Sequence, residues 1–296
     1  MGEIIKPVFF IGMGRSGSSI IYEVIAHHEK LAWFSKYNTR IVRFPEITVA
    51  HRLFGNYIGE KKQGQKISIF NKILPAPSEA YPVWEYLAGV KFRDSFMSDI
   101  IATHEEKKRI EHYISKLMIW QRKPRFLAKI TGPPRIQYLH SIFSDSVFID
   151  IIRDPRAVIS SLLNVDFWKR KGLDKEHWKG TLSEKDKEEW QKNNFSPVAL
   201  TALEWRAVYK ETLYENQTTK ASYYRIKHEE FIDNPYDITK NILEISDLPF
   251  SDKIKRYLKR NTYKNTNYKY KKYLDNQSIK IIETICNDQM QELGYK

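Results

Sequence analysis

The residues best suited to chemistry lie in one stretch near the start of the chain, PVFFIGMGRSGSSII, residues 7–21. Its glycines follow the dinucleotide-binding pattern G-x-G-x-x-G, and Gly12 and Gly17 are also spaced like the two glycines of a P-loop. Ser18 stands where the P-loop lysine belongs, and Arg15 lies inside the loop. The stretch therefore predicts an anion-binding loop that matches neither nucleotide pattern in full.

Two common kinds of nucleotide site lack residues that they require. A dinucleotide site needs an acidic residue about 20 positions after the loop, and no Asp or Glu occurs between Lys30 and Pro45. An ATP or GTP site needs the P-loop lysine and a carboxylate for magnesium. Asp150 follows an apolar run as such a carboxylate does, but the run continues through Ile152. A P-loop-like kinase or NTPase stays as an alternative interpretation.

A third interpretation of the loop needs no metal. Backbone N–H groups between a strand and a helix bind a phosphate well, and Arg15 with the hydroxyls of Ser16, Ser18 and Ser19 can complete such a site. A phosphosulfate donor suits this loop, because its sulfuryl group carries less charge than a terminal phosphoryl group and does not need magnesium. The alternative is that Arg15 is a surface charge beside a tight turn.

A second motif, FIDIIRDPRAVISSLL, places Arg153 at the end of an apolar strand and Ser161 eight residues later in the following helix. The pair resembles the 3′-phosphate-binding motif of sulfotransferases that use 3′-phosphoadenosine 5′-phosphosulfate (PAPS). The stretch GMGRSGSS is similar to the 5′-phosphosulfate loop of that family, in the branch with Arg-Ser-Gly-Ser/Thr that includes tyrosylprotein and carbohydrate sulfotransferases. The resemblance implies in-line transfer of a sulfuryl group from PAPS to a hydroxyl or amine. Adenosine 3′,5′-bisphosphate (PAP) would be the product, and no metal would be required.

The resemblance extends along most of the chain. In FLAKITGPPRIQYL, Lys129 matches a lysine that stabilises the bridging oxygen as the sulfuryl group leaves, although it could simply extend from a strand end into solvent. His228 stands where the family usually has a tyrosine, and Lys264 lies in a tail that resembles the loop covering the nucleotide. Catalytic roles are implied for Arg15 and Lys129. The residues expected to bind the donor are Gly14, Arg15, Ser16, Gly17, Ser18, Ser19, Arg153, Ser161, His228 and Lys264.

The general base is missing from its usual place. In the tyrosylprotein branch a glutamate follows the loop arginine by about twenty residues, whereas this chain has Ser35 there. Our first candidate for the base is Glu79 in LPAPSEAYPVW, because prolines stiffen its loop and Tyr81 and Trp84 could form an acceptor platform. An amine acceptor that is already neutral would need no base. Two weaker candidates are Glu46 and His51.

The elements that must position these residues alternate between strand and helix. Apolar runs predict strands over residues 8–11, 124–130, 146–152 and 222–231. Helices are predicted over residues 18–28, 99–122, 134–143, 155–163, 197–219, 235–246, 252–260 and 278–293. Residues 43–79 are expected to be rich in loops. Such alternation predicts one α/β domain with a central parallel sheet flanked by helices, similar to P-loop nucleotide kinases.

We divide this single domain, residues 1–296, by expected role. Residues 7–28 form the 5′-phosphosulfate unit, and residues 146–163 form the 3′-phosphate unit. The polar, tryptophan-containing residues 164–195 are expected to form a mobile cap. Residues 261–296 are expected to cover the nucleotide with a loop and a closing helix.

Composition limits the possible partners. The formal net charge is +13, which predicts attraction to anions. Nine basic residues and no acid occur between Lys253 and Lys272, either as a solvated surface or as a site for donor, acceptor or another polyanion. An RNA-binding adaptor is the non-enzyme alternative, although no RNA-binding motif accompanies the run. The acceptor could be a small molecule, a lipid or a carbohydrate.

Cysteine content and hydropathy give the remaining expectations. The lone cysteine, Cys286, allows no internal disulfide, and no apolar run approaches the length of a membrane helix. A cytoplasmic protein without a metal site is therefore expected. The oligomeric state cannot be deduced from the sequence.

Overall fold

A single sheet of five parallel strands forms the centre of the protein in the computed structural model, which describes residues 3–54 and 73–295. The strand order is β2-β3-β1-β4-β5. The strands are β1 (Val8–Ile11), β2 (Leu31–Trp33), β3 (Arg125–Lys129), β4 (Val147–Ile152) and β5 (Ser222–Lys227). The predicted α/β class and parallel sheet are therefore confirmed.

Helices connect and cover the strands. In the first half of the described chain they are α1 (Ser18–Ala26), α2 (Lys36–Arg40), α3 (Ala50–Leu53), α4 (Tyr81–Ala88), α5 (Lys91–Asp94), α6 (His104–Gln121) and α7 (Ile136–Ile142). In the second half they are α8 (Pro155–Leu163), α9 (Asp166–Lys171), α10 (Glu184–Lys192), α11 (Pro197–Thr219), α12 (His228–Asp233), α13 (Pro235–Ile245), α14 (Asp252–Arg260), α15 (Tyr270–Tyr273), α16 (Asn276–Ile285) and α17 (Asn287–Glu292). Short 3-10 turns occupy Pro45–Val49 and Asn267–Lys269.

Helices cover both faces of the sheet because successive strand residues point to opposite sides. Phe9 belongs to the core that α4, α6 and α7 cover. Its neighbour Phe10 belongs to the opposite core, against α1, α12, α13 and α14. All four residues of β1 and all six of β4 are buried, as expected for central strands of a parallel sheet.

A third core lies beyond the carboxyl ends of the strands. Met13 and Ile152 pack there with α8, α11, α16 and α17. Residues 164–195 join this core, since Trp168 and Trp178 are buried in it. The segment expected to be a polar cap is thus a folded part of the protein with α9 and α10; its mobility stays a prediction.

Several predicted boundaries were wrong. β5 ends at Lys227, so His228 begins a helix and does not continue the strand. The helix predicted from residue 99 begins at His104, because Thr103 and Glu106 form a capping box there. The predicted last helix is divided into α16 and α17 at Cys286. Part of the loop-rich region, residues 55–72, lies outside the described residues. No helix in the described ranges is long and apolar enough to cross a membrane.

Candidate active site

The loop between β1 and α1 has the backbone of an anion-binding site. Gly12 and Gly17 have φ angles of 126° and 87°, which glycine adopts without strain. Gly17 is the N-cap of α1 and supplies no side-chain hydrogen bond, and the first turn of the helix contains no acid. The hydroxyl of Ser16 is buried and has no hydrogen-bond partner among the described residues. The start of a helix, an unpaired hydroxyl and the helix dipole together fit a phosphate.

Lys129 lies at the end of β3, beside β1. Its Nζ donates to Oγ of Ser19 at 2.6 Å and forms an ion pair with Oε1 of Glu79 at 2.9 Å. Only 6% of Lys129 is exposed. The alternative of a lysine extended into solvent is therefore wrong, and the side chain connects the loop to the candidate base.

Glu79 is placed by pairing between two loops. Ser78 donates its N–H to the carbonyl of Phe34 at 2.9 Å, and a β-bridge joins Ser35 to Pro77. Oε2 of Glu79 accepts from the hydroxyl of Thr131 at 2.9 Å. The carboxylate is thus held from both sides, by Lys129 and by Thr131, immediately beyond the end of β3.

The prediction that Tyr81 and Trp84 form an acceptor platform beside Glu79 is wrong. Trp84 is fully buried and stacks on Phe92, with ring centroids 4.8 Å apart. The hydroxyl of Tyr81 donates to the carbonyl of Thr131, so Tyr81 supports the loop that carries Thr131. The helix α4 turns both rings into the core.

The weaker base candidates have other surroundings. Glu46 forms an ion pair with Lys116 of α6 at 3.5 Å. His51 is buried with its ring 4.4 Å from that of Trp33. Burial lowers the pKa of His51 to about 3. Neither residue contacts Lys129 or the loop in the hydrogen bonds and ion pairs of the described chain.

The two predicted arginines are neighbours in space. Nη1 of Arg153 donates to the backbone carbonyl of Arg15 at 3.1 Å, and Nε of Arg15 donates to Oγ of Ser161 at 2.9 Å. Nε and Nη2 of Arg153 donate to Oδ1 of Asn267 at 2.8 Å and to Oγ1 of Thr266 at 3.2 Å. Burial is the main cause that lowers the pKa of Arg153; nearby Arg15 adds to it and Glu229 opposes it.

His228 packs directly against the loop. A Cβ atom added to Gly17 would lie 2.2 Å from Nδ1 of His228, which is buried and has no hydrogen-bond partner in the part of the chain that the structure describes. Burial, assisted by Arg153, lowers the pKa of this imidazole to about 4. Lys264 is exposed and lies two residues before Thr266, which contacts Arg153.

The structure also adds residues that the sequence motifs did not identify. Thr131 holds Glu79, while Thr266 and Asn267 hold Arg153. Glu229 accepts from Nδ2 of Asn267. Thr131 and Glu229 each lie two residues after the end of a strand, a position that could have marked them, whereas Asn267 lies more than 110 residues from Arg153 with no sequence signal.

Asp150, the possible magnesium ligand, is engaged by two side chains of β5. It lies buried in β4 and accepts from Nε of Arg225 at 2.8 Å and from the hydroxyl of Tyr223 at 2.5 Å. A kinase-like role for this carboxylate is therefore not supported. Within residues 3–54 and 73–295, no group of three or more His, Cys, Asp or Glu side chains is arranged to hold a metal ion.

Comparisons with known proteins agree with this geometry. Residues 7–252 match the profile described as the sulfotransferase family. The fold is similar to that of sulfotransferase STF9 from Mycobacterium avium, at 14% identity and a TM-score of 0.62, covering 98% of this chain and 77% of that one. It is also similar to the sulfotransferase domain from the curacin biosynthetic pathway, at 13% identity and a TM-score of 0.53, covering 96% of this chain and 98% of that domain. A sequence comparison with curated proteins finds no match. On the match over residues 7–252, the chain belongs to the sulfotransferase family.

Proposed function

We propose that the cleft formed by the β1–α1 loop, Lys129, Glu79 and Arg153 moves the sulfuryl group of PAPS to an acceptor hydroxyl or amine. PAPS-dependent sulfuryl transfer follows from family membership; the assignment of individual residues is our proposal. The observation that carries it is the chain of contacts from Ser19 through Lys129 to Glu79, at 2.6 and 2.9 Å. It joins the predicted donor loop to the predicted base.

Two ends of the donor would be held separately. The residues proposed for the 5′-phosphosulfate are Gly14, Arg15, Ser16, Gly17, Ser18 and Ser19. Arg153 and Ser161 would bind the 3′-phosphate, with His228 and Lys264 nearby. An arginine at each phosphate provides charge-assisted hydrogen bonds. Arg153 donates to the backbone carbonyl of Arg15, and the guanidinium of Arg15 donates to Ser161, so the two proposed groups of residues are neighbours, as the two ends of one donor require.

Lys129 would act on the leaving oxygen. When the bond between sulfur and the bridging oxygen breaks, negative charge grows on that oxygen, and a buried ammonium stabilises it more in the transition state than in the ground state. Burial of Lys129 supports the role, since a cation is most effective where water is excluded. Arg15 would assist from the loop.

Glu79 would take the proton of the acceptor. Its loop is paired with the segment around Ser35, the position that corresponds to the glutamate of the tyrosylprotein branch. A carboxylate from a neighbouring loop therefore compensates for the serine. Thr131 and Lys129 fix the two carboxylate oxygens, which is what a positioned general base requires.

Acceptor and location belong to the proposal as well. A small-molecule, lipid or carbohydrate acceptor is compatible with the site, and we propose the cytoplasm on the basis of the single cysteine.

A ligand panel in a thermal unfolding assay tests the function. PAP without magnesium should raise the melting temperature, because a ligand at 100 times its Kd adds about 2.7 kcal/mol of stability. ATP with magnesium should not reproduce the shift, and neither should an oligonucleotide. Stabilisation by ATP and magnesium alone would favour a kinase, and stabilisation by oligonucleotides alone an adaptor. Transfer from labelled PAPS to pools of acceptors then identifies the substrate.

A further inference from the structure

Glu229 is a carboxylate next to the predicted 3′-phosphate site. It is the second residue of α12, directly after His228. Its Oε1 accepts from Nδ2 of Asn267 and from the backbone N–H of Asp154 at 3.3 Å. Its Oε2 accepts from the hydroxyl of Tyr295 at 3.0 Å. Three segments distant in sequence therefore meet at one side chain.

The charge of Glu229 is unfavourable for binding the donor. It opposes burial and the charge of Arg15, the two causes that lower the pKa of Arg153. The two groups nevertheless form no ion pair within 4.0 Å among the described residues. A negative charge in this position repels a phosphate. A role for Glu229 must therefore come from the geometry that it imposes.

That geometry is a relay through Asn267. An amide has one end that donates and one that accepts, and Glu229 takes the donating end. Oδ1 of Asn267 is consequently turned toward Arg153 and accepts from its Nε at 2.8 Å. When Nε is held in this way, the end of the guanidinium that carries Nη1 and Nη2 keeps a fixed orientation.

The terminal nitrogens of Arg153 are held more weakly. Nη1 and Nη2 donate at 3.1 and 3.2 Å to neutral oxygens of Arg15 and Thr266. A phosphate dianion makes shorter and stronger bonds to a guanidinium than neutral acceptors do. It can therefore replace these two partners while the bond between Nε and Asn267 stays in place.

We infer that Glu229 is a positioning residue: by fixing the amide of Asn267 it turns the terminal edge of Arg153 toward the 3′-phosphate of the donor. The inference rests on the proposed function, because it assumes that Arg153 binds that phosphate. The same carboxylate ties down the end of the chain through Tyr295, whose carbonyl also accepts from Nη2 of Arg156 at 3.1 Å.

Replacing Glu229 by Leu, a side chain of similar size without an acceptor oxygen, gives a test in which charge and geometry predict opposite results. Removal of a negative charge beside a phosphate site should tighten PAP binding. Loss of the relay should weaken it by about tenfold, the effect of one misplaced charge-assisted hydrogen bond. We expect E229L to raise the Kd for PAP, measured by calorimetry without magnesium, and to raise the KM for PAPS more than it lowers kcat. An unchanged or lower Kd would overturn the inference.

Control variants separate the relay from general effects. E244Q removes an exposed carboxylate of α13 and should leave the Kd for PAP unchanged. Y295F cuts only the bond to the chain end and should change the Kd by less than about twofold. The N267A variant should lose as much PAP affinity as E229L, and the double variant E229L/N267A should lose no more than either, because both act through one relay. Additive losses would contradict the relay.

The outcome is informative even if one variant does not fold. If E229L fails to fold, N267A alone decides, since Asn267 lies in a surface segment, and an unchanged Kd for PAP then refutes the inference. If wild-type protein does not bind PAP at all, the proposed donor site fails as well. If wild-type protein binds PAP and E229L binds it equally well, only the role of Glu229 fails.

Discussion

Lys129 is the residue on which the proposed chemistry depends most directly. It is buried and bonded to both Ser19 and Glu79. We expect Lys129→Ala to lower kcat by about 10²- to 10³-fold, the usual effect of removing one group that stabilises transition-state charge. PAP should still bind, because the 3′-phosphate residues are untouched. Turnover with labelled PAPS and calorimetry with PAP measure the two effects. Lost PAP binding with normal turnover per bound donor would contradict the role.

Gly17 shows how closely the loop and His228 fit. A Cβ at this position would lie 2.2 Å from Nδ1 of the ring, and φ is 87°. We expect Gly17→Ala to destabilise the protein by about 3 kcal/mol or more through steric overlap and backbone strain. Gly14→Ala is the matched control, since its Cβ would meet only Leu162 at 3.8 Å. Urea unfolding compares the two, and equal stability of both variants would show that His228 does not pack on the loop.

His228 also predicts a dependence of stability on pH. Burial and Arg153 lower its pKa to about 4 in the folded state, whereas an unfolded histidine titrates near 6.5. Between these values the unfolded state binds more protons, so acidification destabilises the fold. From pH 7 to pH 5 wild-type protein should lose about 2 kcal/mol more stability than His228→Asn. Parallel stability curves for the two proteins would refute this assignment.

At the scale of elements, prediction succeeded where apolar runs are long. β4 and α11 follow their predicted ranges closely because β4 is buried throughout and Ser196 caps the start of α11. β2 was missed because three residues give no period to detect. Residues 164–195 were predicted as a polar cap because their charges dominate the sequence, while the buried contacts that fold them are made with α11 and leave no periodic pattern in the segment itself.

His177 and Glu204 are the centre of that unpredicted packing. Both side chains are fully buried, Glu204 accepts from the backbone N–H of His177 at 2.6 Å, and its Oε2 lies 2.8 Å from Nδ1. The ring of His177 stacks on Trp168 with centroids 3.7 Å apart. These contacts attach the segment after α9 to α11.

We expect Glu204→Ala to destabilise the protein by about 2 to 4 kcal/mol, because it leaves buried polar atoms of His177 without partners. Glu188→Ala, which removes an exposed acid of α10, is the control. Urea unfolding gives the free energies, and trypsin should cleave residues 164–195 much faster in Glu204→Ala than in wild-type protein. Rapid cleavage of the wild type at these sites would mean that the segment is not held as described.

For the whole molecule, the sequence motifs predicted which strand ends would meet but not how the chain closes over them. Lys129 is the last residue of β3, and Arg15 and Arg153 come after the ends of β1 and β4; the carboxyl ends of these strands lie at one edge of a parallel sheet. The rule that sites form at the carboxyl ends of parallel strands was enough to predict that these three residues lie close together. Contacts such as Asn267 with Arg153, and Glu79 with Lys129, depend on tertiary packing between distant loops, so no local pattern could specify them.

The positive charge of the molecule is also concentrated in one place. The nine basic residues between Lys253 and Lys272 are exposed, while the net charge of the whole chain is +13. None of the nine has a carboxylate within 4.0 Å in the described ranges. Tyr257 of α14 stacks on His27, which directly follows the end of α1. Asn267 contacts Arg153, which in turn contacts Arg15 in the loop before α1. This basic strip therefore runs along α1 toward the donor site.

The strip predicts that association of the donor depends on ionic strength. The cations on α14 are separated from the loop by roughly the length of α1, which is about 14 Å for nine residues. This distance exceeds the Debye length of about 8 Å at physiological salt but is shorter than the Debye length of roughly 20–30 Å in dilute buffer. A triple variant in which Lys255, Arg256 and Lys259 become Gln should therefore bind PAP several-fold more slowly at low salt and nearly normally at 150 mM. A control with equal loss of charge elsewhere, at Lys108, Lys185 and Lys192, should change the rate less. Stopped-flow association of PAP at both salt concentrations measures this, and equal slowing by both triple variants would attribute the effect to net charge and not to the strip.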